Sequence, residues 1–92
     1  MQLDIFPDAA KFVADLDPKR YKQVLSKILA LLKDPKPQDS AELKGYPFTR
    51  VDVGEFRIIY YCSDEVVTFV IVGKRNDDEV YKELTRNYKT TK

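Results

Sequence analysis

The 92-residue sequence contains no histidine. This absence excludes Ser-His-Asp triads, histidine-based ribonuclease chemistry and most zinc sites. Acid–base chemistry would have to come from tyrosine, lysine, arginine, carboxylates or the single cysteine, Cys62. One cysteine cannot form an internal disulfide. Because Cys62 falls inside a predicted strand, we interpret it as an inert core residue rather than a nucleophile.

Long apolar runs are also absent, and none of the segments approaches the length that crosses a membrane. The N-terminal stretch "MQLDIFPDAAK" has no basic segment followed by an apolar one, so we expect no signal peptide. With its single cysteine, the chain is predicted to be cytoplasmic, without membrane contact.

An excess of charge of either sign is missing as well. The 16 basic and 15 acidic residues leave a net charge of +1, which does not indicate a general attraction to nucleic acid. Any anion-binding site must therefore arise from a local arrangement of side chains. The composition, 43% hydrophobic and 34% charged, predicts a globular protein, and we expect a single domain over residues 1–92.

Apolar periodicity predicts a strand and two helices in the first half. "QLDIF" alternates like a strand, and "PDAAKFVADL" can form a short helix that begins at Pro7. In "DPKRYKQVLSKILALLKD", Asp17 can cap the helix and Pro18 suits its first position. Six apolar residues then recur at helical spacing. They are Tyr21, Val24, Leu25, Ile28, Leu31 and Leu32.

The second half predicts a loop, three strands and a final helix. "PKPQDSAELKGYP" is interpreted as the loop, and the strands run from Phe48 to Val53, Phe56 to Cys62 and Val66 to Gly73. Gly54 and Glu55 suit a type II′ hairpin turn, and residues 63–65 form the next turn. The acidic residues 77–79 could suggest a metal, but at a helix start they more readily complement the dipole. We therefore predict no metal site and no cofactor.

Strand register predicts which charged side chains share a face. With Gly54 and Glu55 in the turn, Asp52 faces Arg57 and Arg50 faces Ile59. A three-residue second turn would place Cys62 opposite Val66.

With this three-residue turn Arg57 faces Ile71. The sheet face that carries Arg50, Asp52 and Arg57 then continues along the last predicted strand through Val67, Phe69 and Ile71 to Arg75. Arg50, Asp52, Arg57 and Arg75 would then converge. A register shift of one residue would replace Arg75 by Lys74. From spacing alone, an anion-binding site and a solvated cross-strand ion pair remain equally open.

Four stretches together resemble the RelE branch of the RelE/ParE toxin superfamily: "AELKGYP", "FTRVDVGEFRIIY", the strand ending in "VGKR", and "EVY". The resemblance covers nearly the whole chain. It implies an α+β fold, with a small twisted, mainly antiparallel sheet, two N-terminal helices on one face and a short C-terminal helix. It also implies an antitoxin-controlled toxin, a metal-independent endoribonuclease that cleaves messenger RNA in the ribosomal A site.

The resemblance assigns catalytic positions to Arg50, Arg57, Arg75 and Tyr81. It implies further RNA contacts by Lys44, Lys74 and Arg86. Two departures stand out, since Phe48 occupies the place of a family lysine and Asp52 adds a negative charge. From the residues alone, packing of Tyr81 on the apolar stripe of the last helix is favoured, and the resemblance shifts the interpretation toward a functional role.

The chemistry expected of such a site is attack by the RNA 2′-hydroxyl on the adjacent phosphate. Tyr81 could act as the base, because arginines nearby would lower its pKa from about 10. Arg57 and Arg75 suit bidentate phosphate binding. Arg75 is a poor acid because a guanidinium keeps its proton in proteins, so the leaving-group acid is left open, with Lys74 the choice in the shifted register.

Two alternatives remain beside the RelE-like function. One is a ParE-like inhibitor of DNA gyrase, and the other is a catalytically weak toxin that acts mainly as a co-repressor. The implied partners are a cognate RelB-like antitoxin, the ribosome with its messenger RNA, and operator DNA through the antitoxin complex. The antitoxin is expected to cover the apolar end of the charged face, at Phe48, Ile59, Tyr61 and Phe69.

Overall fold

A computed structural model describes residues 2–75 of the chain. In chain order these residues form β1 (Gln2–Ile5), α1 (Pro7–Ala14), α2 (Pro18–Lys33), β2 (Ser40–Glu42), β3 (Thr49–Val53), β4 (Phe56–Ser63) and β5 (Val66–Lys74). The strands make one sheet in the order β1-β5-β4-β3-β2. Only β1 and β5 pair in parallel, so the predicted α+β fold with a mainly antiparallel sheet is confirmed. The predicted C-terminal helix lies outside the described residues.

The two helices begin where the sequence predicts. At the start of α2 the Asp17 carboxylate accepts a hydrogen bond from the backbone N–H of Arg20, and Pro18 lies in the first turn. Proline has no backbone N–H, and the N–H groups of a first helical turn have no partner within the helix, so Pro18 is tolerated there. Within residues 2–75, neither helix is long and apolar enough to cross a membrane.

Both helices cover one face of the sheet. Their buried side chains form a core with the inward residues of β3, β4 and β5. Phe12 of α1 meets Phe56 of β4 edge to face, with ring centroids 5.8 Å apart. This helix-side core contains Ala9, Val13, Val24, Ile28, Leu31, Val51, Phe56, Ile58, Tyr60, Val67, Phe69 and Val72.

A second apolar cluster lies on the opposite face of the sheet. It consists of Leu43, Phe48, Ile59, Val70 and Ile71, with Phe6, Tyr46 and Tyr61 packed against it. Because both faces of β4 and β5 are buried, these strands read as nearly continuous apolar runs.

The predicted loop between α2 and β3 contains a strand that the sequence analysis missed. Ser40–Glu42 pairs antiparallel with β3, and Ala41 lies opposite Arg50. The loop is held in place by the Tyr60 hydroxyl, which donates to the Pro35 carbonyl oxygen at 2.5 Å. Burial raises the pKa of Tyr60 to about 12, so it remains a donor at neutral pH. Three residues without apolar alternation carry no local strand signal, and pairing with the sheet edge decides their conformation.

The turn between β4 and β5 is one residue shorter than predicted. Asp64 and Glu65 have φ angles of 53° and 66°, which is the pattern of a two-residue hairpin turn of type I′. Ser63 therefore pairs with Val66, and the predicted pairing of Cys62 with Val66 is wrong. Cys62 is exposed beside this turn rather than buried, which corrects its interpretation as a core residue.

A β-bulge at Val70 then shifts the register a second time. Tyr60 pairs with Phe69 whereas Ile59 pairs with Ile71, so one residue of β5 is left over. Ahead of the bulge, Val67 and Phe69 face the helix-side core, and their predicted place on the charged side is wrong.

The shorter turn and the bulge each shift the pairing of β4 with β5 by one residue. Beyond the bulge the total shift is two residues, so the side chains of β5 lie on the sheet faces that the sequence predicts. Arg57 pairs with Gly73 instead of the predicted Ile71. Even so, Ile71, Gly73 and Arg75 still alternate onto the side of Arg57.

Candidate functional site

The described part of the candidate site is built by β3, β4 and the end of β5. Arg50 and Asp52 alternate onto the sheet face opposite the helices, and Asp52 pairs directly with Arg57 of β4. Arg75 follows β5 immediately, and its backbone N–H donates to the Glu55 carbonyl oxygen at 3.0 Å. This bond continues the β4–β5 pairing as far as the β3–β4 turn and keeps Arg75 beside Arg57.

Asp52 joins two of the arginines. Arg57 donates from Nε to Oδ1 of Asp52 at 2.7 Å and from Nη2 to Oδ2 at 3.1 Å. Nη1 of Arg75 lies 3.8 Å from the same Oδ2. The side chains of Arg57, Asp52 and Arg75 are 17%, 30% and 48% exposed, so the group opens to solvent on the Arg75 side. The predicted convergence of these residues is confirmed, whereas their catalytic roles stay predictions.

The electrostatics of the cluster favour a bound anion. Hydrogen bonding from Arg57 holds the pKa of Asp52 below its usual value against the opposing effect of partial burial. The charges of Arg57, Arg50 and Arg75 act in the same direction. Asp52 is therefore ionised at neutral pH, and one carboxylate faces three guanidinium groups. The local excess of positive charge does not appear in the net charge of the chain.

An aromatic row lies beside the arginines on the same side of the sheet. The rings of Tyr46 and Phe48 stack at 6.3 Å, and Phe48 lies 5.8 Å from the ring of Tyr61. Phe48 thus belongs to the second apolar cluster and is nearly buried. A pocket of about 200 Å³ opens next to this row. Its lining residues are Lys36, Glu42, Tyr46, Pro47, Phe48 and Thr49. This pocket cannot be predicted from the sequence, because β2, which contributes Glu42 to its wall, has no local strand signal.

The remaining predicted residues are not brought into the cluster by the described structure. Lys44 is exposed in the loop that follows β2. Lys74 pairs with Phe56, whose side chain is in the helix-side core, so Lys74 lies on the other face from Arg75. Tyr81 and Arg86 lie outside the described residues. Between residues 2 and 75, no group of three or more Cys, Asp or Glu side chains is arranged to hold a metal ion.

The sequence matches a family model over residues 3–79, a span that includes all three arginines and all but the first residue of the described strands. The model describes the ParE toxin of the type II toxin-antitoxin system parDE. The chain belongs to the RelE/ParE toxin superfamily. It is therefore a toxin of the type II toxin–antitoxin class.

Solved structures of RelE toxins are similar to this RelE/ParE chain. The isolated E. coli RelE toxin is 27% identical over 92% of this chain and 95% of its own, with a TM-score of 0.71. The toxin in the intact E. coli RelBE toxin–antitoxin complex is 26% identical over 79% of this chain and 94% of its own, with a TM-score of 0.70. The match in the archaeal RelE–RelB complex from Pyrococcus horikoshii OT3 is 23% identical over 80% of this chain and 93% of its own, with a TM-score of 0.71. An identity this low shows similarity of fold alone. No curated protein matches the sequence.

Proposed function

We propose that this RelE/ParE chain is a ribosome-dependent endoribonuclease that cleaves messenger RNA in the A site. The observation that carries the proposal is the carboxylate of Asp52 held between Arg57 and Arg75, with Arg50 on the same face. Guanidinium groups placed around one anion at the surface of a rigid sheet are suited to a phosphate. The similarity to RelE toxins supports the same function.

In the proposed reaction the RNA 2′-hydroxyl attacks the adjacent 3′-phosphate, and the bond to the 5′-oxygen of the next nucleotide breaks. The leaving 5′-oxygen takes a proton from water, so the products are a 2′,3′-cyclic phosphate and a 5′-hydroxyl. Arg57 and Arg75 bind the phosphate and stabilise the charge that develops on the phosphorane. Arg50 adds positive charge from the neighbouring strand. Tyr81 takes the proton of the 2′-hydroxyl. The ribosome holds the messenger in the conformation for attack, which supplies much of the rate. These residues perform the reaction without a metal ion or cofactor.

Contacts outside the reacting phosphate are assigned to Lys44, Lys74 and Arg86. Lys44 is exposed in the loop after β2, and Lys74 lies on the other face of the sheet from Arg75. Because neither lysine joins the arginine cluster, both are assigned to neighbouring RNA phosphates, whose contacts position the nucleic acid without specifying sequence.

A RelB-like antitoxin is the proposed protein partner, and the complex of the two would bind operator DNA. Support comes from the solved neighbours, which include RelBE and RelE–RelB complexes. The second apolar cluster lies on the same side of the sheet as the arginines, so one antitoxin segment could cover both. The proposed setting for this system is the cytoplasm.

Two observations favour alternatives. The matched family model describes a ParE toxin, which supports a ParE-like inhibitor of DNA gyrase. The pairing of Asp52 with two arginines supports a catalytically weak toxin that acts as co-repressor with its antitoxin.

Mapping of messenger RNA ends in a translating extract distinguishes these functions. Added toxin should produce new 5′ ends within codons that occupy the A site, and the ends should disappear when ribosomes are omitted. A variant with both Arg57 and Arg75 replaced by alanine is the inactive control. Intact messenger together with inhibited supercoiling by gyrase would favour the ParE-like function. Intact messenger and unaffected gyrase, with retained antitoxin-dependent operator binding, would favour the co-repressor.

A further inference from the structure

The carboxylate of Asp52 accepts hydrogen bonds from guanidinium donors to which the proposed phosphate would also bind. Its two oxygens accept two hydrogen bonds from Arg57, at 2.7 and 3.1 Å, and Oδ2 also lies 3.8 Å from Nη1 of Arg75. Arginine binds carboxylate and phosphate through the same fork of parallel N–H groups. A phosphate that bridges Arg57 and Arg75 therefore competes with Asp52 for these donors.

Other acidic side chains near the hairpin are engaged elsewhere. Glu55, in the β3–β4 turn, accepts from Nε of Arg20 at 2.7 Å. Asp39 accepts from the ammonium of Lys27 at 2.8 Å. Within the described part of the chain, Asp52 is thus the carboxylate that contacts the arginine cluster, and it does so from β3, close to the β3–β4 turn.

We propose that Asp52 is an internal counter-ion that occupies the phosphate cradle of the unbound toxin and is displaced when substrate phosphate binds. This inference rests on the proposed function and adds a residue that controls substrate selection. Displacement of the carboxylate costs the same free energy whether the arginines bind a phosphodiester or the phosphorane formed by attack. Asp52 therefore weakens the binding of RNA without slowing cleavage of RNA that is already bound. Asp52 would keep the toxin from binding RNA that the ribosome has not positioned.

Asp52→Asn tests the proposal, because it removes the charge and keeps the shape. The probes are inorganic phosphate and a short RNA whose 2′-hydroxyls are replaced by hydrogen, followed through the Nε–H NMR signals of Arg57 and Arg75. We expect both probes to bind about tenfold more tightly to the variant, which corresponds to loss of one partly screened charge beside the site. Single-turnover cleavage on the ribosome at saturating toxin should change little, whereas the toxin concentration for half-maximal rate should fall.

The matched control is Asp17→Asn. It neutralises another aspartate that is paired with an arginine, Arg20, but at the start of α2, and asparagine also caps helices. Its affinity for both probes should remain that of the wild type. Equal or weaker binding by a folded Asp52→Asn protein would overturn the proposal, as would an equal gain in the control.

A measurement on the unmodified protein covers the case in which Asp52→Asn fails to fold. Carbon-13 labelling of aspartate reports on the Asp52 carboxyl group during the phosphate titration, and its signal should move as Arg57 is released. Phosphate binding that leaves this signal unchanged contradicts the displacement. Tighter binding by Asp52→Asn, with no cleavage by the variant or the wild type, would instead contradict the proposed nuclease function. The counter-ion role of Asp52 would still be supported.

Discussion

Arg57 and Asp52 lie opposite each other on β4 and β3, with their charged groups at the sheet surface rather than in the apolar clusters. Replacing such a side chain removes charge and hydrogen bonds without opening a cavity in the core. For this reason the function of the arginines can be separated experimentally from their contribution to folding.

Arg57→Ala and Arg75→Ala should each abolish or greatly weaken cleavage while the protein still folds. Both side chains reach the common anion position marked by Asp52. End mapping in a translating extract measures the cleavage, and thermal unfolding checks the fold. Arg20→Ala is the matched control, because Arg20 is also ion-paired but lies at the start of α2. If either site variant folds and cleaves at the wild-type rate, the replaced arginine does not bind the reacting phosphate.

Tyr81→Phe should slow the cleavage step by about 10²- to 10⁴-fold, the usual contribution of a positioned acid–base group. The ring is kept, so the melting temperature should change little. Ribosome binding should be nearly unchanged since the cations supply the charge. The measurement is single-turnover cleavage at saturating toxin. A variant that melts normally and cuts at the full rate would return Tyr81 to a packing role.

At the scale of single elements, the β3–β4 hairpin positions the site. Its tight turn sets Asp52 opposite Arg57, and the Glu55 carbonyl oxygen in the same turn binds the N–H of Arg75. The turn also contacts α2, because Arg20 donates to the Glu55 carboxylate. The geometry of this two-residue turn therefore affects the positions of both Arg57 and Arg75.

Gly54→Ala should destabilise the protein by about 1 kcal/mol or more. Gly54 has a φ of +59°, which residues with a Cβ rarely adopt. A Cβ there would also come within 2.7 Å of Nε2 of Gln23. Chemical denaturation measures the loss. Glu55→Ala, the neighbouring turn position, removes only an exposed ion pair and should have a small effect. Equal stability of Gly54→Ala and wild type would show that the turn tolerates a side chain.

At the scale of the whole molecule, ion pairs lie in three separate parts of the described fold. Hydrogen bonds from Arg20, Lys27 and Arg57 lower the pKa values of Asp17, Asp39 and Asp52 respectively. The first lies at the start of α2, the second joins α2 to the loop before β2, and the third lies on the sheet.

These pKa shifts predict a loss of stability in acid. Each of these aspartates has a lower pKa in the folded protein than in the unfolded chain, where the value is about 3.9. Its ionised form therefore stabilises the native state to the full extent above about pH 3.9. The contribution is lost as the pH falls through the lower folded-state values. The melting temperature should therefore drop below about pH 4, and Asp52→Asn should show a smaller drop than wild type. A melting temperature that is constant down to pH 2.5 would contradict the assignment.

Antitoxin binding should protect β3 and β4 against hydrogen exchange. Of the apolar residues predicted for this contact, Tyr61 is partly exposed, whereas Phe48 and Ile59 are buried in the second cluster beneath the same face. Phe69, which the sequence placed among them, faces the helices instead. Hydrogen exchange with and without antitoxin tests the surface, and protection confined to the outer side of α2 would exclude it.

Local sequence determined the elements whose signals are contained in a few neighbouring residues. Asp17 and Pro18 mark the start of α2, its apolar residues recur at helical spacing, and Gly54 predicts the turn that sets Asp52 opposite Arg57. Turn chemistry and period are properties of adjacent residues, so no long-range contact is needed to read them. The arginine face followed from these elements, whereas the resemblance to RelE toxins rested on four short stretches of the sequence itself.

Tertiary structure alone decided the β2 strand, the bulge at Val70 and the sharing of Asp52 by two arginines. Ser40–Glu42 becomes a strand because an open sheet edge offers it backbone partners. The bulge lets both faces of β5 stay buried, with Phe69 toward the helices and Ile71 toward the second cluster. Each of these features depends on contacts between segments that are distant along the chain. Strand register is decided by which side chains are buried on each face, and local preference does not contain that information.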